Sequence, residues 1–199
     1  MNIVWDVGNV LIRWEPRLVY AEDFGSDAEI DTFLEKIDFA AWNLEQDRGR
    51  TWDEAVALKV AEFPQHEALI SKFHANWQEA VPGAIEGSVA ILESLRRGGR
   101  PLYAITNFSA EKWQQSCARF PFLTSFRHAM VSAHEGLIKP DPAIFNRFLQ
   151  RTSLKAADCL FIDDSAANIA TAKGMGFDTI RFESAGHLKR ALADRGIAV

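Results

Sequence analysis

A chain of 199 residues, 48% hydrophobic and 25% charged, can bury one sizeable core with an elaboration on it, but is too short for two full domains to be the default. Its net charge of -5 argues against bulk electrostatic binding of nucleic acid or an anionic membrane, though not against a small anion in a local basic pocket. No apolar run approaches the roughly 20 residues of a membrane span, and the start has no basic segment followed by an apolar signal core, so a cytoplasmic protein is expected.

The first element is Ile3-Val4-Trp5, an apolar, β-branched run bounded by Gly8 and Asn9 that predicts a short buried strand with Asp6 at its carboxyl end. Parallel sheets bind ligands at that edge, yet an Asp after a strand is often only a turn residue, and on this segment alone the turn is the favoured reading. Residues 15–80 carry almost no strand pattern and predict several helices joined by short polar breaks. Thr51-Trp52-Asp53-Glu54 has the spacing of a capping box, so a helix starts near Thr51 and Pro64 ends it. A second helix is predicted over 65–80, where Leu69, Ile70, Phe73 and Trp77 recur at a spacing that normally means core.

From Pro82-Gly83 onward the pattern alternates. A helix stops at Gly98-Gly99, and the apolar runs Leu102–Ile105, Ala129–Val131, Leu160–Ile162 and Thr179-Ile180 each adjoin a helical stretch. With the first strand this predicts an α/β fold of βαβ units on a parallel sheet, made from residues 1–14 and 81–199, with 15–80 as a helical insertion. The joins near 13–16 and 80–83 would be hinges. Cys117 and Cys159 have no metal or redox spacing and are expected to be buried apolar side chains.

If the sheet is parallel, the residues just after each strand converge. They are Asp6, then Thr106-Asn107, then the loop leading to Lys139-Pro140-Asp141-Pro142, then Asp163-Asp164-Ser165. Three neighbouring carboxylates repel one another and call for a hard divalent cation, most naturally magnesium, while a lysine and a hydroxyl suit a phosphate. Each has a plainer explanation: Thr106 or Ser109 as a helix cap, Lys139 as a solvated cation, Asp164 as the N-cap of the helix through Asn168. Independent capping, however, does not produce a complete set for phosphoryl transfer at successive strand ends.

The pieces Val4–Leu11, Ala104–Asn107, Gly136–Pro142 and Phe161–Ile169, in this order, resemble the haloacid dehalogenase (HAD) superfamily over nearly the whole chain. Within it the likeness is to small sugar-phosphate phosphatases with an Asp-x-Gly-Asn-Val start. The resemblance implies a three-layer, Rossmann-like core with a helical-bundle cap of the first subclass, of which Asp47-Arg48-Gly49 resembles a stretch. It further implies a magnesium-dependent phosphatase in which Asp6 is phosphorylated and magnesium is held by Asp6, the Gly8 carbonyl and Asp164, with Asp163 acting through a metal-bound water. Thr106 and the amides near Asn107 would hold the phosphate, and Lys139 would neutralise nucleophile and phosphate. The implied partner is a small phosphorylated metabolite.

The sequence departs from the family at Gly8, where most family phosphatases carry a second Asp as general acid and base. Such help is worth roughly two to four orders of magnitude, so water or a cap residue is expected to supply the proton, or the leaving group to need little protonation. Arg13, Trp14, Trp42 and Arg48 lie where a polar pocket could form, with the two tryptophans expected mainly as core. His74, His128 and His134 lack metal spacing and are expected in ordinary surface or core roles, with His134 set apart by its place just ahead of Glu135-Gly136. The nearest rival is a metal-free 2-haloacid dehalogenase, which has no use for Asp163-Asp164. A non-catalytic phospho-ligand-binding relative is the third reading.

Overall fold

The computed structural model describes every residue from Met1 to Val199. Five parallel strands, β1 (Asn2–Trp5), β2 (Leu102–Thr106), β3 (His128–Val131), β4 (Cys159–Asp163) and β5 (Asp178–Arg181), form one sheet in the order β3-β2-β1-β4-β5. All five predicted strands are present, each a residue or two longer than its apolar run. Strand order reverses direction at β1, so the loops after β1 and β4 part there and leave a crevice at the carboxyl edge.

Alternate side chains of each strand enter two different cores, as the strand period of two requires. Val4, Tyr103, Ile105, Met130 and Phe161 pack with Ile144, Phe145 and Phe148 of α8 (Pro142–Thr152) and Ala172 of α9 (Ala166–Gly174). Ile3, Trp5, Ala104, Leu160 and Ile162 face the other way, against Ile91, Leu92 and Leu95 of α5 (Glu86–Arg97) and Leu188 and Leu192 of α10 (Ala185–Ala193). Both faces are therefore covered and the molecule has three layers. No helix is long and apolar enough to cross a membrane.

Between β1 and α5 the chain forms α1 (Asp27–Lys36), α2 (Phe39–Asp47), α3 (Trp52–Glu62) and α4 (Glu67–Ala75). The helix starts at Thr51 as predicted, with the Thr51 hydroxyl accepting from the Glu54 amide at 3.3 Å, although the Glu54 side chain makes no return bond to the Thr51 amide. The helix predicted over 65–80 is broken into a short 3-10 turn at Pro64–His66, α4, and a second 3-10 turn at Trp77–Ala80. The turn after Asn76 lets Trp77 leave the α4 stripe and pack on Trp14 at 5.6 Å and Phe108 at 5.8 Å. The joins to the sheet run side by side, the Arg13 amide bonding the Gly83 carbonyl at 2.9 Å and the Glu15 amide that of Ala80 at 2.8 Å. Cys159 is buried as expected, whereas Cys117, on α6 (Ala110–Arg119), is only half-buried.

Candidate active site

The Asp6 amide donates to the Ile162 carbonyl at 2.8 Å, extending the β1–β4 ladder by one residue and holding Asp6 at the mouth of the crevice. Its Oδ1 accepts from the Val7 amide at 2.7 Å and lies 2.8 Å from the Lys139 Nζ, so both protein partners use one oxygen and Oδ2 has none. The chain then turns back sharply. Asn9 adopts a left-handed conformation (φ 54°), and its side-chain oxygen accepts from the Trp14 amide at 3.0 Å, a local bond that suits Asn to this position.

Lys139 is 3% exposed, and its ammonium also lies 2.7 Å from Asp163 Oδ2. Its backbone is gripped by the Asn107 side chain, whose Oδ1 accepts from the Lys139 amide at 2.8 Å and whose Nδ2 donates to the Lys139 carbonyl at 3.0 Å. Asp163, fully buried, also accepts from Asn168 Nδ2 at 2.9 and 3.0 Å and from the Ser165 amide at 2.8 Å. Ser165, not Asp164, caps α9, with its hydroxyl accepting from the Asn168 amide at 3.4 Å. That frees the Asp164 carboxylate to line the cavity.

Carboxylate oxygens of Asp6, Asp163 and Asp164 lie within 4.8 Å of one another. Burial, opposed by Lys139 and reinforced by Asp163, pushes the Asp6 carboxyl up to about 7. Burial and Asp163 raise Asp164 as well. Lys139 is raised in turn, because Asp6 and Asp163 outweigh the burial that would lower it. Three carboxylates with one lysine remain short of positive charge, and their hard oxygen donors fit a magnesium ion.

The cavity over this cluster has a volume of about 240 Å³. Asp6, Gly8, Asn107, Lys139 and Asp164 line it. Thr106 and Asp163 stand behind that surface, and the buried Thr106 hydroxyl has no hydrogen-bond partner. Of the residues expected to shape the pocket, Arg13 and Trp14 do so. Trp42 does not: it is buried in the helical insertion, its indole donating to the Ala55 carbonyl at 2.9 Å. Arg48 is exposed and paired with Glu45 at 2.7 Å, and His134 is exposed outside the cavity.

Part of the cavity wall comes from the insertion. Asn43, Asp47, Trp52 and Trp77 line the cavity opposite Asp6. Trp52, at the start of α3, donates from its indole to the Ser109 hydroxyl at 3.0 Å, which explains why Ser109 makes no side-chain cap on α6. The Asp47 carbonyl accepts from Ser132 Oγ at 2.6 Å, at the start of α7 (Ser132–Glu135). Only the Gly after Asp47-Arg48 hinted at this contact: Gly49 has φ 112°, and a Cβ there would stand 3.0 Å from the Ala133 carbonyl oxygen. Gly49→Ala is therefore expected to destabilise the fold by about 1–3 kcal/mol, read as a melting temperature lower by roughly 2–10 °C. An unchanged melting temperature would show that this turn relaxes freely.

The sequence pattern of haloacid dehalogenase-like hydrolases matches residues 28–182. The chain belongs to this family. The matched span of this hydrolase includes Lys139 and Asp164 but begins after Asp6, whose place in the site rests on the geometry above. Among curated relatives, the sesquiterpene phosphatase astK of Aspergillus oryzae is 29% identical over 177 residues, covering 87% of this chain and 85% of that protein. A glyceraldehyde 3-phosphate phosphatase of Pyrococcus abyssi is 30% identical over 100 residues, or 50% of this chain and 42% of that one. The chain spans less than half the length of most of the curated relatives it matches. A HAD family enzyme from Bacteroides thetaiotaomicron, solved with magnesium and inorganic phosphate, superposes with a TM-score of 0.73 at 22% identity, covering 92% of this chain and 94% of that one.

Proposed function

We propose that this hydrolase is a cytoplasmic, magnesium-dependent phosphatase of small phosphorylated metabolites, with a sugar phosphate as the leading substrate class. The observation that carries the reading is the buried Lys139 ammonium held between Asp6 and Asp163 beside Asp164, a cationic anchor in a crowd of carboxylates at the mouth of the sheet. Asp6, Asp164 and the Gly8 carbonyl would hold magnesium, with Asp163 behind them; the ion offsets the charge of the phosphoryl group and the carboxylates.

Asp6 Oδ2, the oxygen without a protein partner, attacks phosphorus in line with the leaving oxygen, and water then cleaves the aspartyl phosphate. Lys139 screens the approach of an anion to an anion, which would otherwise be repelled in a buried site. The Thr106 hydroxyl, buried without a partner behind the cavity lining, is free to donate to a phosphoryl oxygen that reaches that depth. The side chain of Asn107 is committed to Lys139, so its contribution to phosphate binding is to fix the lysine, leaving only its backbone for the phosphate. Helices of residues 15–80 act as the cap, and a cavity of about 240 Å³ suits a compact ester better than a large one. The acidic cluster also disfavours a metal-free dehalogenase, whose anionic haloacid would meet Asp164 uncompensated.

The test is phosphate release from a panel of sugar phosphates, triose phosphates, a terpenyl phosphate and p-nitrophenyl phosphate, with magnesium or with EDTA. Release that needs magnesium and is fastest on small esters is expected. No release from any ester, or halide release from 2-haloacids in EDTA, would overturn the reading.

A further inference from the structure

Gly8 leaves the site without an acid next to the nucleophile, and few other titratable groups line the cavity. Its titratable lining side chains are Asp6, Arg13, Asp47, Lys139 and Asp164. Asp6 is committed as nucleophile, Asp164 to the cation and Lys139 to two carboxylates, while a guanidinium does not give up its proton in a protein. Asp47 alone is uncommitted.

Its setting keeps it so. Asp47 is the last residue of α2, where the helix dipole disfavours a negative charge. Neither neighbouring arginine pairs with it: Arg48 bonds Glu45, and Arg50 bonds Gln46 and the Trp42 carbonyl. The carboxyl accepts from Asn43 Nδ2 at 3.4 Å, a weak bond, and faces the Ser109 amide. Burial, with Asp6 adding and Lys139 opposing, pushes its carboxyl up to about 7. The position is also fixed, because Ser132 Oγ ties the Asp47 carbonyl to the sheet domain at 2.6 Å and Gly49 lets the chain pass close to Ala133.

We propose that Asp47, delivered from the helical insertion, is the general acid and base of this active site. The proposal rests on the phosphatase reading above. In the first step an Asp6 oxygen bonds phosphorus, the bond from phosphorus to the leaving oxygen breaks, and the Asp47 proton passes to that oxygen. In the second, the Asp47 carboxylate takes a proton from the attacking water, the new oxygen–phosphorus bond displaces Asp6, and phosphate departs with Asp47 reprotonated. The Ser132–Asp47 bond holds the acid at the cavity in this arrangement.

The test compares wild type and Asp47→Asn on the best alkyl phosphate of the panel and on p-nitrophenyl phosphate, whose leaving group needs no proton. Steady-state turnover of the alkyl ester is expected to fall ~10²–10⁴-fold. On the aryl ester the variant should release one equivalent of nitrophenolate per site in a rapid burst and then stall, because the phosphorylated enzyme lacks its base. A Cβ at Gly8 meets nothing within 4 Å, so adding Gly8→Asp to Asp47→Asn should restore turnover of the alkyl ester at least tenfold. Equal losses on both esters with no burst, or no loss on either, would overturn the proposal; if Asp47→Asn fails to fold, the absence of rescue in the folded double variant would do so. A wild type inert on the whole panel instead refutes the phosphatase reading itself.

Discussion

Asp6→Asn is expected to abolish phosphate release while leaving the protein folded and, at alkaline pH, more stable. The amide keeps an oxygen for the Val7 amide and the Lys139 ammonium but cannot form the aspartyl phosphate. Loss of a catalytic nucleophile removes roughly 10⁴–10⁶ of turnover. Burial raises the folded-state Asp6 carboxyl from 3.8 to about 7, so in the metal-free protein the cost of ionising it grows as pH rises from about 4 to about 7 and is constant above. A neutral isostere is free of that cost. In EDTA the variant should therefore melt with wild type near pH 4 and above it at pH 8. Residual turnover within tenfold of wild type would sink the nucleophile assignment, and a lower melting temperature at pH 8 would show that Lys139 needs both carboxylates.

Lys139→Met is expected to be the most destabilising single change in the site. Methionine matches the length of the stem but leaves Asp6 and Asp163 as close, buried carboxylates without their cation. Removing one partner of a buried ion pair costs about 3–5 kcal/mol, or a melting temperature lower by roughly 6–20 °C for a chain of this size. The deficit should shrink at pH 5, where the stranded Asp6 carboxyl takes up its proton, and on adding magnesium, which replaces the missing charge. Activity is lost with it, since nothing then screens Asp6 from an anionic ester. A melting temperature within 2 °C of wild type at pH 8 would contradict the assignment of Lys139 as the anchor of the site.

Much of this site was legible in the residues alone. Val4-Trp5, Ala104-Ile105 and Phe161-Ile162 mark strands by being apolar on both sides of a covered parallel sheet, and the polar residue that ends each run must emerge at the same edge. Asp6, Lys139 and Asp164 were therefore visible from their positions, and five parallel strands bring them together. The division of labour between Asp163 and Asp164 was not. Both follow β4 in sequence, and only the fold shows the first buried against Lys139 and Asn168 while the second lines the cavity. For Asn107, sequence suggested that the backbone amides near it meet a phosphate, and only the structure shows its side-chain amide gripping the Lys139 backbone across 32 residues.

The helical insertion was the least readable, for a physical reason. Its helices carry apolar side chains on broad faces, and the spacing that announces a core does not say which residues at the rim meet the sheet. Trp42 and Trp52 are both buried tryptophans of the insertion, yet one donates to Ala55 within it and the other reaches Ser109 beside α6. Arg48 and Asp47 are neighbours, yet the helix period turns the first to solvent and the second toward Asp6. What the sequence by itself determined is the sheet, its order of polar strand ends and the carboxylate–lysine chemistry gathered there, because each depends on local pattern and on the geometry common to parallel sheets. Which residue of the insertion faces that chemistry was decided only by tertiary docking, through the Ser132–Asp47 and Ser109–Trp52 contacts, because these join segments 57 and more residues apart that no local periodicity connects.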